Sequence, residues 1–161
     1  MMHMVSPELL RRPVRLLLVG CGGSGSAVAS GLPYLHQAML VAGHPGGLHV
    51  TIMDGDVISA TNCVRQPFCS VEIGLAKAVV MVSRLNLFYG LNWTAVTEHL
   101  TSQTDVSNFD IVIGCVDTRA ARQSDREQGP GVAEQNRVLA RPRKLGGQRP
   151  IRSWPTVERT E

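Results

Sequence analysis

The feature that most constrains this chain is a glycine turn set between a strand-length and a helix-length apolar segment. Val14 to Val19 is an apolar run of the right length for a buried strand. Gly20-Cys21-Gly22-Gly23-Ser24-Gly25 follows, and Ser26 to Leu40 is apolar enough and long enough to be a helix. Strand, glycine turn, helix is the setting in which a G-x-G-x-x-G spacing carries meaning. Gly20 permits the tight turn, Gly22 lets a phosphate approach the backbone, and Gly25 lets helix and strand pack closely. The unpaired N–H groups at the helix start then attract an anion. Alone, these residues suit a nucleotide turn and a packing loop of another α/β domain about equally.

The next segments narrow the choice. The helix is expected to end by Gly43, where His44-Pro45-Gly46-Gly47 is a cluster of chain breakers. Leu48 to Met53 reads as a second strand ending at Asp54, and a strand–helix–strand unit of this kind is parallel and right-handed. Asp54 to Gln66 is polar and irregular, beyond the carboxyl end of that strand, the edge where open parallel sheets bind ligands. Pro67 and Phe68 close this loop, and Ser70 is placed to cap a helix from about Ile73 to Leu87, with Lys77 early in it. Trp93 to Glu98 and Phe109 to Cys115 read as third and fourth strands. The fourth delivers Val116-Asp117-Thr118 to the edge that holds the glycine turn. The expected fold is α/β and Rossmann-like, a parallel sheet with helices on both faces. Residues 1–13 form a lead-in with a short helix start at Ser6-Pro7-Glu8.

Charge and cysteine content exclude several functions. The net charge is +3, but residues 1–122 carry eight basic and eight acidic side chains. The excess lies in residues 123–161, with eight basic against five acidic. A neutral body gives no electrostatic case for nucleic acid as a partner. Cys21, Cys63, Cys69 and Cys115 form no C-x-x-C pair, so no zinc site is readable, and their positions suit reduced thiols. His36, His44 and His49 read as surface or loop residues with no metal spacing. Val14–Val19 is too short for the core of a signal peptide, and no stretch is apolar enough to span a membrane. A soluble, cytoplasmic protein with no membrane partner is expected.

From Gln123 the composition changes, with four prolines, seven arginines and only six Leu, Ile or Val among 39 residues. Such a segment buries too little surface to offset its ordering entropy, so a disordered tail is expected.

The spacing Asp54-x-Asp56-x(5)-Asn62-x-x-Arg65-Gln66, then Lys77, then Cys115-Val116-Asp117-x(4)-Arg122, resembles the ThiF/MoeB family. These are adenylating proteins related to the activating enzymes of ubiquitin. The Gly43–Gly47 stretch and Arg84-Leu85-Asn86-Leu87-Phe88-Tyr89-Gly90 look most like the ThiF-type protein of PRTRC systems. The resemblance covers about Val14 to Arg122, read as one partial nucleotide-binding domain. It implies ATP as the cofactor, with the C-terminal carboxylate of a small ubiquitin-like or sulfur-carrier-like protein as the group adenylated. A homodimer is among the partners it implies.

The residues suit that chemistry. Arg65 and Lys77, on different segments, can hold the phosphates and the charge that develops on them, a contribution of about 3 kcal/mol each. The chain has no G-x-x-x-x-G-K-[ST] loop, so these two replace its lysine. Asp54 is placed to accept from ribose hydroxyls. By resemblance Asn62 joins the phosphate contacts and Asp117 supports Mg²⁺. The expected nucleotide site is therefore Gly20, Gly22, Gly23, Gly25, Asp54, Asp56, Asn62, Arg65 and Lys77, with Arg65, Lys77 and Asp117 its catalytic members.

Three departures stand beside the match. Thr118 replaces an asparagine common after the late aspartate. An N-terminal Arg-Tyr-x-Arg-Gln stretch is absent, and Arg11, Arg12 and Arg15 are the only nearby arginines to stand in for it. The chain stops where relatives have half a domain to go, so weak nucleotide binding with poor turnover is expected. The break at Gln123 resembles a GC-rich coding sequence read out of frame. Two other readings compete. A NAD(P)- or FAD-dependent oxidoreductase domain shares the glycine turn and Asp54 but gives Arg65 and Lys77 no role. A non-catalytic nucleotide-binding interaction module is favoured by the truncation.

Overall fold

A computed structural model describes residues 7–116. The expectations for Asp117, Thr118, Arg122 and the tail at 123–161 lie outside the described residues. After a single 3₁₀ turn at Pro7–Leu10, the elements run β1 (Val14–Val19), α1 (Gly23–Val41), β2 (Leu48–Met53), α2 (Lys77–Tyr89), β3 (Thr94–Val96) and β4 (Ile111–Gly114). The strands form one sheet in the order β3-β2-β1-β4 with every pairing parallel. Val14 pairs with Leu48 and Val19 with Met53, while Val19 also sits opposite Gly114. This is a Rossmann-like arrangement. Its strand order reverses at β1, so a crevice opens between the carboxyl ends of β1 and β4.

Alternation along the strands divides the core into two faces. Leu16, Leu18, Val50 and Ile52 point to one side and meet Ala29 and Leu32 of α1 and Ala78, Met81, Val82 and Leu85 of α2. Leu17, Val19, Met53 and Val112 point to the other, where Leu100, Val106 and Phe109 from the segment between β3 and β4 cover them. Within the described residues both helices therefore lie on the first face and an irregular segment covers the second.

The first two strands match the sequence expectation residue for residue, and the later elements are shifted for local reasons. α1 begins at Gly23 rather than Ser26, because Gly22 already occupies its N-cap. α2 begins at Lys77 rather than Ile73. Gly74 adopts φ +90°, a conformation that no helix contains, and Ser70–Glu72 makes only a 3₁₀ turn. Ser70 therefore does not cap α2. β3 starts after Trp93, whose backbone N–H and carbonyl are both taken by the Asn86 side chain at 2.9 Å. β4 starts after Phe109, whose N–H closes a turn onto the Val106 carbonyl at 3.1 Å.

Two histidines hold backbone rather than face solvent. His36 Nδ1 accepts from the Leu48 N–H at 3.0 Å, and His44 Nδ1 accepts from the Gly47 N–H at 2.9 Å. Both brace the entry to β2. Arg12 donates two hydrogen bonds to the Asp110 carboxylate, at 2.7 and 2.6 Å, and the Arg15 N–H donates a third at 2.8 Å. These arginines thus lie at the amino edge of the sheet, opposite the glycine turn. No helix among the described residues is long and apolar enough to cross a membrane.

Candidate functional site

The glycine turn needs its glycines for two different reasons. Gly20 has φ +90°, and a Cβ there would fall 2.9 Å from the Cys115 carbonyl oxygen. A Cβ on Gly25 would fall 1.8 Å from the Gly20 carbonyl oxygen. Those two positions are fixed by the packing of α1 against the strand ends. Gly22 is different, since a Cβ there would meet only the Gln66 amide nitrogen at 3.9 Å, and its φ of −76° is open to any residue. Gly23 has similar room, 3.9 Å from the Arg65 carbonyl oxygen. No side chain caps α1, so the N–H groups of its first turn have no intrahelical acceptor, and none of the first-turn residues is acidic. That end of the helix carries partial positive charge.

Asp54 ties this turn to the second strand. Its carboxylate is nearly buried and accepts from two backbone N–H groups, that of Cys21 through Oδ2 and that of Asp56 at 2.8 Å through Oδ1. Burial pushes the neighbouring Cys21 thiol up from 9.0 to about 12, and the Asp54 carboxylate adds to the shift. Cys21 therefore stays protonated and is no nucleophile.

The long loop after β2 is held closed at its base. Val57 bridges Ala76, the Lys77 N–H donates to the Asp56 carbonyl at 3.1 Å, and Ile58 and Gly74 are likewise joined. Ile58 and Phe68 plug the loop into the core, at 1% and 5% exposure. Asn62 is buried and turns the chain within the loop. Its side-chain oxygen accepts from the Ser59 N–H at 2.9 Å, while its carbonyl accepts from the Arg65 and Gln66 N–H groups. Arg65 is exposed, with no carboxylate within ion-pair distance among the described residues. Lys77, the first residue of α2, is 5% exposed, and its ammonium donates to Asp56 Oδ2 at 2.8 Å.

These parts surround a cavity of about 360 Å³ at the carboxyl edge of the sheet. Gly20, Gly22, Asp54, Asp56, Asn62, Arg65 and Lys77 all line it. Gly23 and Gly25 lie behind them in the first turn of α1, and Asp117 falls outside the described residues. Gln66, Glu98, His99 and Leu100 also line the cavity, and the site residues read from the sequence did not include them. The Gln66 side-chain oxygen is buried without a hydrogen-bond partner. Its place directly after Arg65 in the spaced motif was the signal available for it. Glu98, His99 and Leu100 follow β3, where no motif pointed. No cluster of three metal-ligating side chains occurs among the described residues.

Three comparisons bear on this geometry. The model of the ThiF family matches residues 8–124. The adenylyltransferase and sulfurtransferase UBA4 of Eremothecium gossypii is 29% identical over 123 residues, 73% of this chain and 26% of that protein. UBA4 of Yarrowia lipolytica is 31% identical over 124 residues, again 73% of this chain and 28% of the relative. The chain thus spans about a quarter of the length of these curated relatives. Among solved structures, the Escherichia coli tRNA N6-threonylcarbamoyladenosine dehydratase TcdA in complex with ATP is similar, with TM-score 0.57 and 26% identity. The match covers 69% of this chain and 44% of that one, and the AMP complex of TcdA matches to the same extent.

Proposed function

Taking as premise that the chain belongs to the ThiF family, we propose that its cavity binds ATP for the adenylation of a carboxylate. The observation that carries the reading is the pairing of an unpartnered cation with a turn that has spare room. Arg65 lines the cavity without an ion-pair partner among the described residues, and Gly22 lacks a side chain that the packing would allow. A polyphosphate answers both, because its oxygens need a cation and a close approach to backbone N–H groups. The ATP and AMP complexes of TcdA and the adenylyltransferase activity in the name of UBA4 support the same reading.

In this reading the α-phosphate rests on the N–H groups of Gly23, Ser24 and Gly25, with Asn62 and Arg65 beside it. Lys77 reaches the phosphates by exchanging Asp56 for a phosphate oxygen, and Asp54 accepts from the ribose. The carboxylate oxygen attacks the α-phosphorus, the bond to the bridging oxygen of the β-phosphate breaks, and pyrophosphate leaves with that electron pair. The cations act on charge that grows on the phosphates in the transition state. Mg²⁺ is commonly held by one or two carboxylates together with substrate phosphates, so Asp117 would be its protein ligand and the ion would neutralise phosphate charge. The acyl group belongs to a small carrier-like protein with an exposed C-terminal carboxylate, and the PRTRC assignment, a homodimer and a cytoplasmic site of action complete the proposal.

Calorimetric titration with ATP and adenosine tests it. Arg65→Ala and Lys77→Ala should each weaken ATP by about tenfold or more while leaving adenosine nearly unchanged. Stronger binding of NAD than of ATP, or ATP binding indifferent to both substitutions, would overturn the proposal in favour of a dinucleotide domain. ATP binding without pyrophosphate exchange, across carboxylate donors, would leave a non-catalytic binding module.

A further inference from the structure

The strand ends lie in the order β3-β2-β1, about 5 Å apart from one to the next. The glycine turn follows β1, Asp54 follows β2, and Glu98, His99 and Leu100 follow β3. If Asp54 marks the ribose and the glycine turn the phosphates, the base extends the other way, onto the segment after β3. That segment holds a contact that the folded chain gains little from. The His99 ring rests on Gly55, where a Cβ would fall 2.6 Å from both Cδ2 and Nε2 and 2.8 Å from Cε1. Gly55 is therefore kept free of a side chain by space rather than by backbone conformation. Yet the His99 side chain is 71% exposed, so the core does not require it. Its Nε2 lies 3.9 Å from Asp56 Oδ1, which places the ring beside the carboxylate that also holds Lys77.

We propose that His99, seated on Gly55, is the base-stacking wall of the nucleotide cavity. One side of the imidazole is backed by Gly55, and the open side presents a planar π surface to a purine. Leu100 is 8% exposed and lines the same cavity, which gives the base an apolar neighbour. The Glu98 carboxylate, also lining the cavity, can accept from an exocyclic amine, as adenine offers. His99 is thus a specificity-determining residue that acts on the base alone. The inference deepens the ATP reading above and rests on it.

The experiment titrates the whole 161-residue chain with ATP, adenosine and GTP by calorimetry. His99→Ala should weaken ATP and adenosine in equal proportion, by about tenfold, leaving the ratio between the two as in the wild type. His99→Phe should restore most of the lost affinity, because it keeps the ring and removes only the nitrogens. Gly55→Val should reproduce the His99→Ala loss by pushing the ring aside. Arg65→Ala serves as the contrast, since it should shift the ratio by weakening ATP alone. ATP and adenosine binding unchanged in His99→Ala, with Arg65→Ala still selective for ATP, would overturn the stacking role and spare the ATP reading. Failure of His99→Phe to restore binding would also overturn it. Absence of ATP and adenosine binding by the unsubstituted chain would overturn both.

Discussion

Two glycines three residues apart in one turn answer to different masters, and substitution separates them. Gly25 is required by the fold, because its Cβ would occupy the place of the Gly20 carbonyl oxygen at 1.8 Å. Gly25→Ala should cost at least about 3 kcal/mol, read as a lowered midpoint in urea. Gly22 is not so bound, and a methyl there would enter the cavity with 3.9 Å to spare from Gln66. Gly22→Ala should stay within about 1 kcal/mol of the unsubstituted chain in stability, yet lose ATP affinity by about tenfold. Equal loss of stability in both variants would show that Gly22 too is a packing glycine. The packing role of Gly25 was legible in the sequence because the G-x-G-x-x-G spacing is local. The sequence could not reveal the Gly55–His99 contact, which joins residues that only the folding of β2 beside β3 brings together. Gln66 falls between these cases, named in the motif but with its orphaned oxygen visible only in three dimensions.

At the scale of elements, legibility followed burial. β1 and β2 are central strands with continuous apolar character, and their bounds were readable to the residue. β3 and β4 are flanking strands whose ends are decided by competing hydrogen bonds, from Asn86 to Trp93 and from Phe109 to Val106. Nothing in the apolar pattern announces such a competition. The start of α2 was misread for a related reason. Ser70 followed three residues later by Ile73 looks like a helix entry, but the positive φ of Gly74 and the bridge between Val57 and Ala76 turn that stretch into the base of a closed loop. The consequence for the site is direct. Lys77 stands at the very first turn of α2 instead of one turn inside it, and so reaches Asp56 at 2.8 Å.

Across the whole molecule, the amino edge of the sheet is fastened by one carboxylate. Asp110 joins the lead-in before β1 to the start of β4 through Arg12 and the Arg15 N–H. The hydrogen bonds from the Arg12 side chain, and then from the Arg15 N–H, hold the Asp110 carboxyl below its ordinary value of 3.8. A depressed value means that the folded state prefers the ionised form. This stabilisation is therefore fully present above 3.8 and is lost as pH falls through the lower folded value. Arg12→Ala should destabilise the chain by about 1 kcal/mol at neutral pH, a modest figure because the Arg12 side chain is 38% exposed and screened by water. Thermal melts of the two proteins should converge as the solution is acidified through that range. A constant gap would assign the effect to lost packing rather than charge. At the opposite edge, the loop stapled at Val57 and Ala76 has a consequence for how the protein breathes. It is anchored by the bridge at its base, by the plugs Ile58 and Phe68, and by Arg84 of α2, which donates to the Pro67 carbonyl and the Glu72 carboxylate, so residues 58–75 form a natural unit of local opening. Arg65 and Asn62 ride on that unit, while Lys77 stands just beyond its hinge. Amide hydrogens from 58 to 75 should therefore exchange together, at one common rate set by a single opening event. ATP should slow that exchange across the whole block, leaving β1 and β2 as they were. Scattered protection at single residues would mean that the loop yields piecemeal and that Arg65 leaves the cavity independently of Asn62.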